Sequence, residues 1–223
     1  MYSPTKKSVT LRIFAALIGL TVTASLAACS NNDEDDNNPE LGKTTDASVS
    51  ESTEFVPASE DGPAQNVPEP HLSAVATENS EEGAEATLEY FWSAEEYARL
   101  TGITNPLEIV ASEHCEFCTE SIEGWTESYG DGYWNVPKGD LEIEIEEAHV
   151  TDEEEENRTV GYVFFSLLEP GTDFYNSEGQ KTEESFDAPE AKDWFALMYY
   201  DATAQRWEID WIGLEESITW EDQ

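Results

Sequence analysis

Side chains at helical spacing dominate the segment between residues 84 and 102. The recurring positions are three, four or seven residues apart and are Thr87, Tyr90, Phe91, Ala94, Tyr97 and Ala98. That spacing places them on one face of an α-helix that ends at Gly102. Two more helices are predicted at residues 106–111, where Pro106 suits the first turn, and at residues 115–129. The apolar face of the last one carries Cys118, Ile122, Trp125 and Tyr129.

After residue 140 the pattern changes to a period of two, which is typical of β-strands. Apolar and acidic residues alternate over residues 141–145, and further strands are predicted at residues 160–167, 194–200 and 206–212. Helices followed by a run of antiparallel strands predict an α+β fold. In such a fold the N-terminal helices pack on one face of a curved antiparallel sheet.

Before residue 84 the sequence shows neither period. Residues 30–83 are rich in Asn, Asp, Ser, Pro and Glu, and Phe55 is the only aromatic residue among them. Such a composition buries too little apolar surface to offset the entropy of ordering the chain. From Ala84 onward 22 of 140 residues are aromatic, which is enough for a sizeable core. We therefore expect a disordered acidic stalk at residues 29–83 and one globular domain at residues 84–223.

The first 28 residues have the three parts of a signal peptide: a basic start, an apolar centre and a processing motif. These parts are Lys6, Lys7 and Arg12, then residues 13–22, then Leu26, Ala27, Ala28 and Cys29. The apolar centre is shorter than the roughly 20 residues that cross a membrane. A bulky residue, two small ones and a cysteine predict cleavage before a lipidated Cys29. Acyl chains such as palmitate on a diacylglyceryl group would then hold the chain at the extracytoplasmic face of the cell membrane.

Acidic residues outnumber basic ones in the whole chain, 50 against 10. Because three of the basic residues lie in the signal peptide, the processed chain has 7 basic and 50 acidic residues, a net charge of −43. Such a chain repels nucleic acid and anionic lipid head groups, so we expect no nucleic-acid partner and no membrane contact beyond the anchor. A cationic molecule, a protein or a component of the cell wall remains a candidate partner.

Cys115 and Cys118 are the only cysteines besides Cys29. In an exported protein a Cys-x-x-Cys pair is most often a disulfide, and we expect a structural one here. A redox-active pair is the alternative, because a helix N-terminus lowers the pKa of a thiol. Nearby carboxylates, such as Glu116, would oppose that effect. A zinc site would need two more soft ligands, and we expect neither a metal nor a cofactor.

Few residues suggest catalysis. His149 lies on a predicted strand, where it could act with a carboxylate as an acid–base pair. The sequence has no phosphate-binding glycine loop, no dinucleotide-binding motif and no metalloprotease motif. We therefore expect a non-catalytic binding or scaffolding module of the cell envelope. A small enzyme that uses His149 and a thiol–disulfide exchanger that uses Cys115 and Cys118 remain as alternatives.

Aromatic residues crowd the last predicted strands. Both alternating faces of residues 193–200 carry rings, so not all of these rings can point into one core. Large side chains that simply fill a curved sheet are one explanation. The other is an exposed cleft that stacks on a glycan or a peptide. The candidate lining of this cleft is Trp194, Tyr199, Trp207, Trp211 and His149.

Two short motifs carry a family resemblance. Thr101-Gly102 is followed by Pro106-Leu107, and the third helix opens with His114-Cys115-Glu116-Phe117-Cys118. With the signal peptide and the stalk, this order resembles an actinobacterial lipoprotein family known as domain of unknown function 6318. That family is similar in turn to the nuclear-transport-factor-2-like (cystatin-like) fold. The resemblance implies three helices wrapped by a bent, cone-like sheet and an anchor in the outer leaflet of a single cell membrane, but no activity.

Overall fold

The computed structural model describes residues 54–154, 157–187 and 191–215. The predicted signal peptide, the predicted lipidation site Cys29 and the first part of the predicted stalk lie outside the described residues. No helix within the described residues is both long and apolar enough to cross a membrane.

Helices precede strands, and the α+β prediction is confirmed. A 3-10 turn, Val75–Thr77, comes before α1 (Glu81–Thr101), α2 (Asn105–Glu108) and α3 (Glu116–Gly130). The strands are β1 (Trp134–Pro137), β2 (Glu142–Glu153), β3 (Arg158–Leu168), β4 (Thr172–Tyr175), β5 (Lys192–Asp201) and β6 (Arg206–Leu214). Every predicted helix and strand has a counterpart, although α2 ends three residues before the predicted bound. β1 and β4 were not predicted; they are four residues each and pair with each other, and β4 also forms single bridges to Lys181 and Phe186.

Four long strands form an antiparallel sheet in the order β2-β3-β5-β6. β1 and β4 form a separate two-stranded sheet. Register shifts at Ile145/Glu147 and at Leu197/Met198 interrupt the long sheet. Such irregularities bend a strand and increase its local twist, which suits a sheet that carries helices on one face.

One face of the long sheet packs against α1. Buried side chains of the sheet, such as Phe165, Met198 and Ile209, share a core cluster with Leu88 and Phe91 of α1. Phe91 lies on the helix face predicted from the spacing of residues 87–98, whereas Leu88 is a core residue that this spacing did not include. The inner face of the sheet and the apolar face of α1 therefore exclude water from each other, which is the main stabilising term in such a layer.

Local signals fix both ends of α1. Ser80 caps the first turn, since its side chain accepts a hydrogen bond from the backbone N–H of Gly83. Gly102 ends the helix with a φ of 71°, a left-handed conformation that favours glycine. A Cβ atom at Gly102 would also come within 2.4 Å of the Tyr129 side chain of α3. Gly102 therefore ends α1 and also lets α3 approach it closely.

The predicted stalk is wrong for residues 54–83, which belong to the fold. Val56 and Gln65 exchange two backbone hydrogen bonds of 2.9 Å, and Ala76 is fully buried. Three aromatic side chains of the domain donate hydrogen bonds of 2.8 Å to backbone carbonyls of this segment: Trp134 to Ser59, Tyr200 to Thr77 and Trp207 to Glu78. Composition could not reveal this, because partners far away in the sequence order the segment.

Trp207 of β6 connects this segment, α1 and the sheet. Its side chain is fully buried, and its indole N–H donates to the carbonyl oxygen of Glu78 at 2.8 Å. A Cβ atom at Gly83 would lie 3.0 Å from the indole nitrogen, and one at Gly161 would lie 2.9 Å from the six-membered ring. The indole therefore packs against two positions without side chains, Gly83 and Gly161, and a side chain at Gly83 would also clash with the carbonyl group of Glu78.

We expect Gly161→Ala to destabilise the domain by about 1–3 kcal/mol, because the added methyl group would overpack the space around the indole. The site offers little room for the methyl group to shift, since the Cβ atom of Ala84 is also only 3.4 Å from the same position. Urea unfolding would measure the change. Gly139→Ala is the matched control, because its Cβ would make only an ordinary contact of 3.7 Å with Pro170. A Gly161→Ala protein as stable as this control would contradict the close packing.

Candidate functional site

The predicted aromatic cleft is divided between the two faces of the long sheet. Trp207 is fully buried, and Trp194 packs against the core on the same inner face. Trp194 contacts rings of both α1 and α3. Tyr199 lies on the opposite face because side chains alternate along β5. Trp211 lies there too, because a register shift just before it interrupts the alternation of β6 and pairs Trp211 with Leu197. The five predicted residues therefore do not form one cleft, and the prediction is wrong for Trp194 and Trp207.

Rings on the outer face of the sheet lie against one another. Phe195 contacts Tyr162, Phe164 and Trp211 at centroid distances of 5.9, 5.0 and 5.7 Å. The indole of Trp211 packs closely against Gly213, where a Cβ atom would come within 2.5 Å of it. The guanidinium of Arg158 covers Tyr199 at 4.2 Å. This surface is a packed layer of rings.

His149 lies exposed on the outer face of β2. Its Nε2 is 3.0 Å from a carboxylate oxygen of Glu147, and the two side chains are 55 % and 63 % exposed. His149 is adjacent to Tyr162 in the register of the sheet. The alternative of an acid–base enzyme required His149 to point into a closed pocket, and the structure instead directs it toward solvent.

Cys115 and Cys118 form a disulfide, and both residues are fully buried. Cys115 also caps α3, since its sulfur accepts a hydrogen bond of 3.2 Å from the backbone N–H of Cys118. A thiol–disulfide exchanger needs an accessible sulfur, and this pair offers none. In the described residues no three His, Cys, Asp or Glu side chains are placed to hold a metal ion.

A cavity that the sequence analysis did not predict lies between α1, α3 and β4. Its volume is about 410 Å³. The lining residues are Glu95, Phe117, Glu120, Ser121, Gly124, Trp125, Ser128 and Phe174. Three of them are aromatic, two are acidic and none is basic. Volumes of roughly 300–1,000 Å³ with apolar walls and a few convergent polar groups are typical of ligand sites.

Glu95 is the convergent polar group of this cavity. The Ser121 hydroxyl donates to one carboxylate oxygen at 2.5 Å, and the indole N–H of Trp125 donates to the other at 2.7 Å. Burial raises the pKa of Glu95, against the opposing effects of these two hydrogen bonds and of the positive charge of Arg99. A partly desolvated carboxyl inside a ring-lined cavity is a strong candidate for a ligand contact.

The carbonyl oxygen of Arg99 holds α3 and β1 against the end of α1. The Tyr129 hydroxyl donates to it at 2.8 Å, and the side-chain amide of Asn135 donates at 2.5 Å. Burial raises the pKa of Tyr129, so its hydroxyl keeps the proton that it donates. The Arg99 guanidinium forms an ion pair with Glu96. These contacts fix the positions of the two helices that carry Glu95 and Trp125.

Gly124 lies in the interior of α3 and lines the cavity. A Cβ atom there would meet nothing within 4 Å, and its φ is not positive, so neither packing nor backbone conformation requires glycine. Glycine at such a position costs a helix about 1 kcal/mol relative to alanine. Gly124 and Ser128 also line an adjoining cavity of about 270 Å³ with Glu127, Asp131 and Tyr133. The absence of a side chain at Gly124 therefore leaves free space beside α3 where the two cavities meet.

Two signals could have pointed to this site. Trp125 was assigned to the apolar face of the third helix, and Glu95 falls beside the apolar stripe of the first helix. The sequence contains 50 acidic residues, however, and it does not show which one faces a cavity. Phe174 belongs to β4, a strand that was not predicted from the sequence.

We expect the stability of Glu95→Gln relative to the unsubstituted protein to increase with pH. The folded-state pKa of Glu95 is above its ordinary value near 4.5, so the unfolded chain ionises first as the pH rises. The unsubstituted protein therefore loses stability between the ordinary and the raised pKa, whereas a glutamine has no charge to bury. Urea unfolding of both proteins from pH 4 to pH 8 would measure the difference.

Glu123→Gln is the control for the loss of one negative charge, since Glu123 is an exposed residue of α3. Its stability difference from the unsubstituted protein should change much less with pH. A Glu95→Gln curve that runs parallel to this control would show that Glu95 is solvated in the folded state.

Comparisons with known proteins identify a family whose function is unknown. Comparison with curated proteins gave no match. Among solved structures, the intermembrane space region of the chloroplast protein ARC6 is similar, with a TM-score of 0.38 and 10 % sequence identity. The likeness covers 60 % of this chain and 95 % of that one, and it is too weak to support an argument about fold or function. The model of a family of unknown function, DUF6318, matches residues 53–211, and this chain therefore belongs to the DUF6318 family.

Proposed function

We propose that this protein is a non-catalytic binding module, anchored by lipid to the cell membrane, that holds a small ligand in the cavity between α1 and α3. The observation that carries the proposal is the Glu95 carboxylate. It lies partly buried in a ring-lined cavity, and two donors from α3 fix its position. Pre-positioned polar groups with apolar walls give a ligand site its orientation and its affinity.

The chemistry of the cavity favours binding over catalysis. A hydroxyl nucleophile in an enzyme is activated by an adjacent base that a third group orients. Ser121 donates to Glu95, which Trp125 also orients, so the nucleophile–base contact is present. The lining residues, however, include no histidine, lysine, arginine, asparagine or glutamine whose side chain could stabilise the negative charge that an attack by this hydroxyl would develop. The groups that remain can orient a ligand, stack on it and accept its hydrogen bonds.

The proposed location is supported by the processing motif in the sequence and by the disulfide bond of the domain. The processing motif at residues 26–29 predicts a diacylglyceryl anchor on Cys29 and supports a location on the extracytoplasmic face of the cell membrane. The Cys115–Cys118 disulfide supports an oxidising compartment. Three helices ahead of a bent antiparallel sheet also support membership of the nuclear-transport-factor-2-like fold. In this proposal the ligand comes from the cell envelope, and nucleic acid is not a partner.

Ligand binding in the cavity should be visible in the side chain of Trp125. We expect an amphiphilic fragment to shift the indole ¹⁵N–¹H signal of Trp125 in the mature chain (residues 29–223), with Cys29→Ala so that no acyl chain competes. Trp125→Phe assigns the signal. The buried indole of Trp207, which lies outside the cavity, serves as the internal reference. A fragment library that moves no signal of Trp125 would contradict the proposed binding function.

The anchor is tested separately in the full-length chain. We expect the native protein to fractionate with membranes and to carry a diacylglyceryl group on Cys29, as measured by mass spectrometry of its N-terminal peptide. Cys29→Ala should remove the lipid, because no other thiol lies at the processing motif. An unmodified N-terminal peptide from the native protein would contradict the anchor and leave the binding proposal intact.

A further inference from the structure

We propose that the ligand of the cavity between α1 and α3 carries a primary ammonium group at the end of an apolar chain or ring. This inference rests on the proposed binding function and names the chemical class of its ligand. Four features carry it: the unused acceptor positions of Glu95, the charges around Glu95, the aromatic walls and the helix glycine.

The first feature is the hydrogen bonding of Glu95. An ionised carboxylate has about four acceptor positions. The protein fills one on each oxygen, with Ser121 at 2.5 Å and Trp125 at 2.7 Å. Both partners donate, so the site is built around the carboxylate as an acceptor. A ligand that fills the remaining positions must also bring hydrogen-bond donors, and an ammonium group brings three.

The second feature is the imbalance of charge near Glu95. From its own helix it faces Arg99, whose guanidinium is already paired with Glu96. From α3, Glu120 lines the same cavity, and Glu169, between β3 and β4, adds a further negative charge. A buried ion pair with good hydrogen bonds offsets the cost of desolvating a carboxylate, whereas a neutral ligand leaves that cost in place and an anion adds to it.

The third feature is the wall of the cavity. Phe117, Trp125 and Phe174 line it with rings from two different elements. Apolar walls favour a ligand with an apolar stem, and the faces of aromatic rings attract a cation within about 6 Å. The cavity therefore suits a molecule with both parts and gives little to a bare inorganic cation.

The fourth feature is the opening beside α3. Gly124 is a helix-interior glycine whose missing Cβ would project into open space. Its presence lowers the stability of the helix and leaves room where the two cavities adjoin. Gly130, at the end of the same helix, also has open space at its Cβ position but does not line either cavity. The two glycines thus form a matched pair for a test.

Three probes of nearly equal shape and different charge test the ligand class: 4-phenylbutylammonium, 4-phenylbutanol and 4-phenylbutyrate. Calorimetric titration of the mature chain with Cys29→Ala at pH 7 should give an affinity for the ammonium at least tenfold above that for the alcohol, since hydrogen bonds to charged groups are the stronger ones. The butyrate should bind most weakly. Nα-acetyl-lysine methylamide, as a fourth probe, distinguishes a lysine side chain from a free amine as the source of the ammonium group.

Substitutions then test which residues cause the preference for the ammonium probe. Glu95→Gln should reduce the ammonium affinity to that of the alcohol and leave the alcohol affinity nearly unchanged. Gly124→Ala should weaken the ammonium several-fold, and Gly130→Ala should have no effect. In the unsubstituted protein the ammonium affinity should fall as the pH is lowered, because the proton and the ammonium compete for the same carboxylate. The alcohol affinity should not fall in the same way.

The outcomes separate the two proposals. Equal affinities for the ammonium and the alcohol, or a preference that survives Glu95→Gln, would overturn the ammonium class while the cavity remains a binding site. If none of the probes binds but another fragment shifts the Trp125 signal, the ammonium class is overturned alone. If no probe or fragment acts on the cavity, both proposals fail.

Discussion

The packing of one indole ring connects α1, the long sheet and the segment that precedes α1. Trp207 fills a slot between Gly83 of α1 and Gly161 of β3, and its N–H satisfies the carbonyl oxygen of Glu78 ahead of α1. A single buried side chain therefore sets the distance between helix and sheet and also orders the chain that precedes the helix. Without it, the segment before α1 would lose one of the partners that fix its last residues, and the start of α1 would lose a contact with β6.

The cavity depends on this arrangement through α1. With the start of α1 fixed against β6, its later turns present Glu95 and Arg99 toward α3. Side chains of α3 hold both residues. Trp125 and Ser121 donate hydrogen bonds to the Glu95 carboxylate, and Tyr129 donates one to the backbone carbonyl oxygen of Arg99. The cavity lies among these contacts, so rigid elements hold its polar group in place. Pre-organisation of this kind lowers the entropy cost of binding a ligand.

Sequence periodicity predicted the elements with strong internal patterns and failed where long-range partners decide. The spacing of residues 87–98 gave α1, and the alternation of residues 141–145 gave the start of β2. β1 and β4 were not predicted because each has only four residues and pairs with a partner far away in the sequence. Residues 54–83 look like a solvated spacer until Trp134 and Trp207 supply hydrogen bonds to them. Glu95 resembles any other surface acid, since its neighbour in space, Trp125, is 30 residues away.

The Cys115–Cys118 disulfide makes the rigidity of the cavity wall depend on the redox state of two cysteines. It closes the first turn of α3, the helix that carries Phe117, Ser121 and Trp125. A crosslink over so short a loop contributes about 2 kcal/mol in the chain-entropy model. In a reducing cytosol the same chain would lack that contribution, and the α3 wall of the cavity would be held less firmly. In the proposed extracytoplasmic location, formation of this disulfide would be a maturation step that stiffens the α3 wall of the cavity.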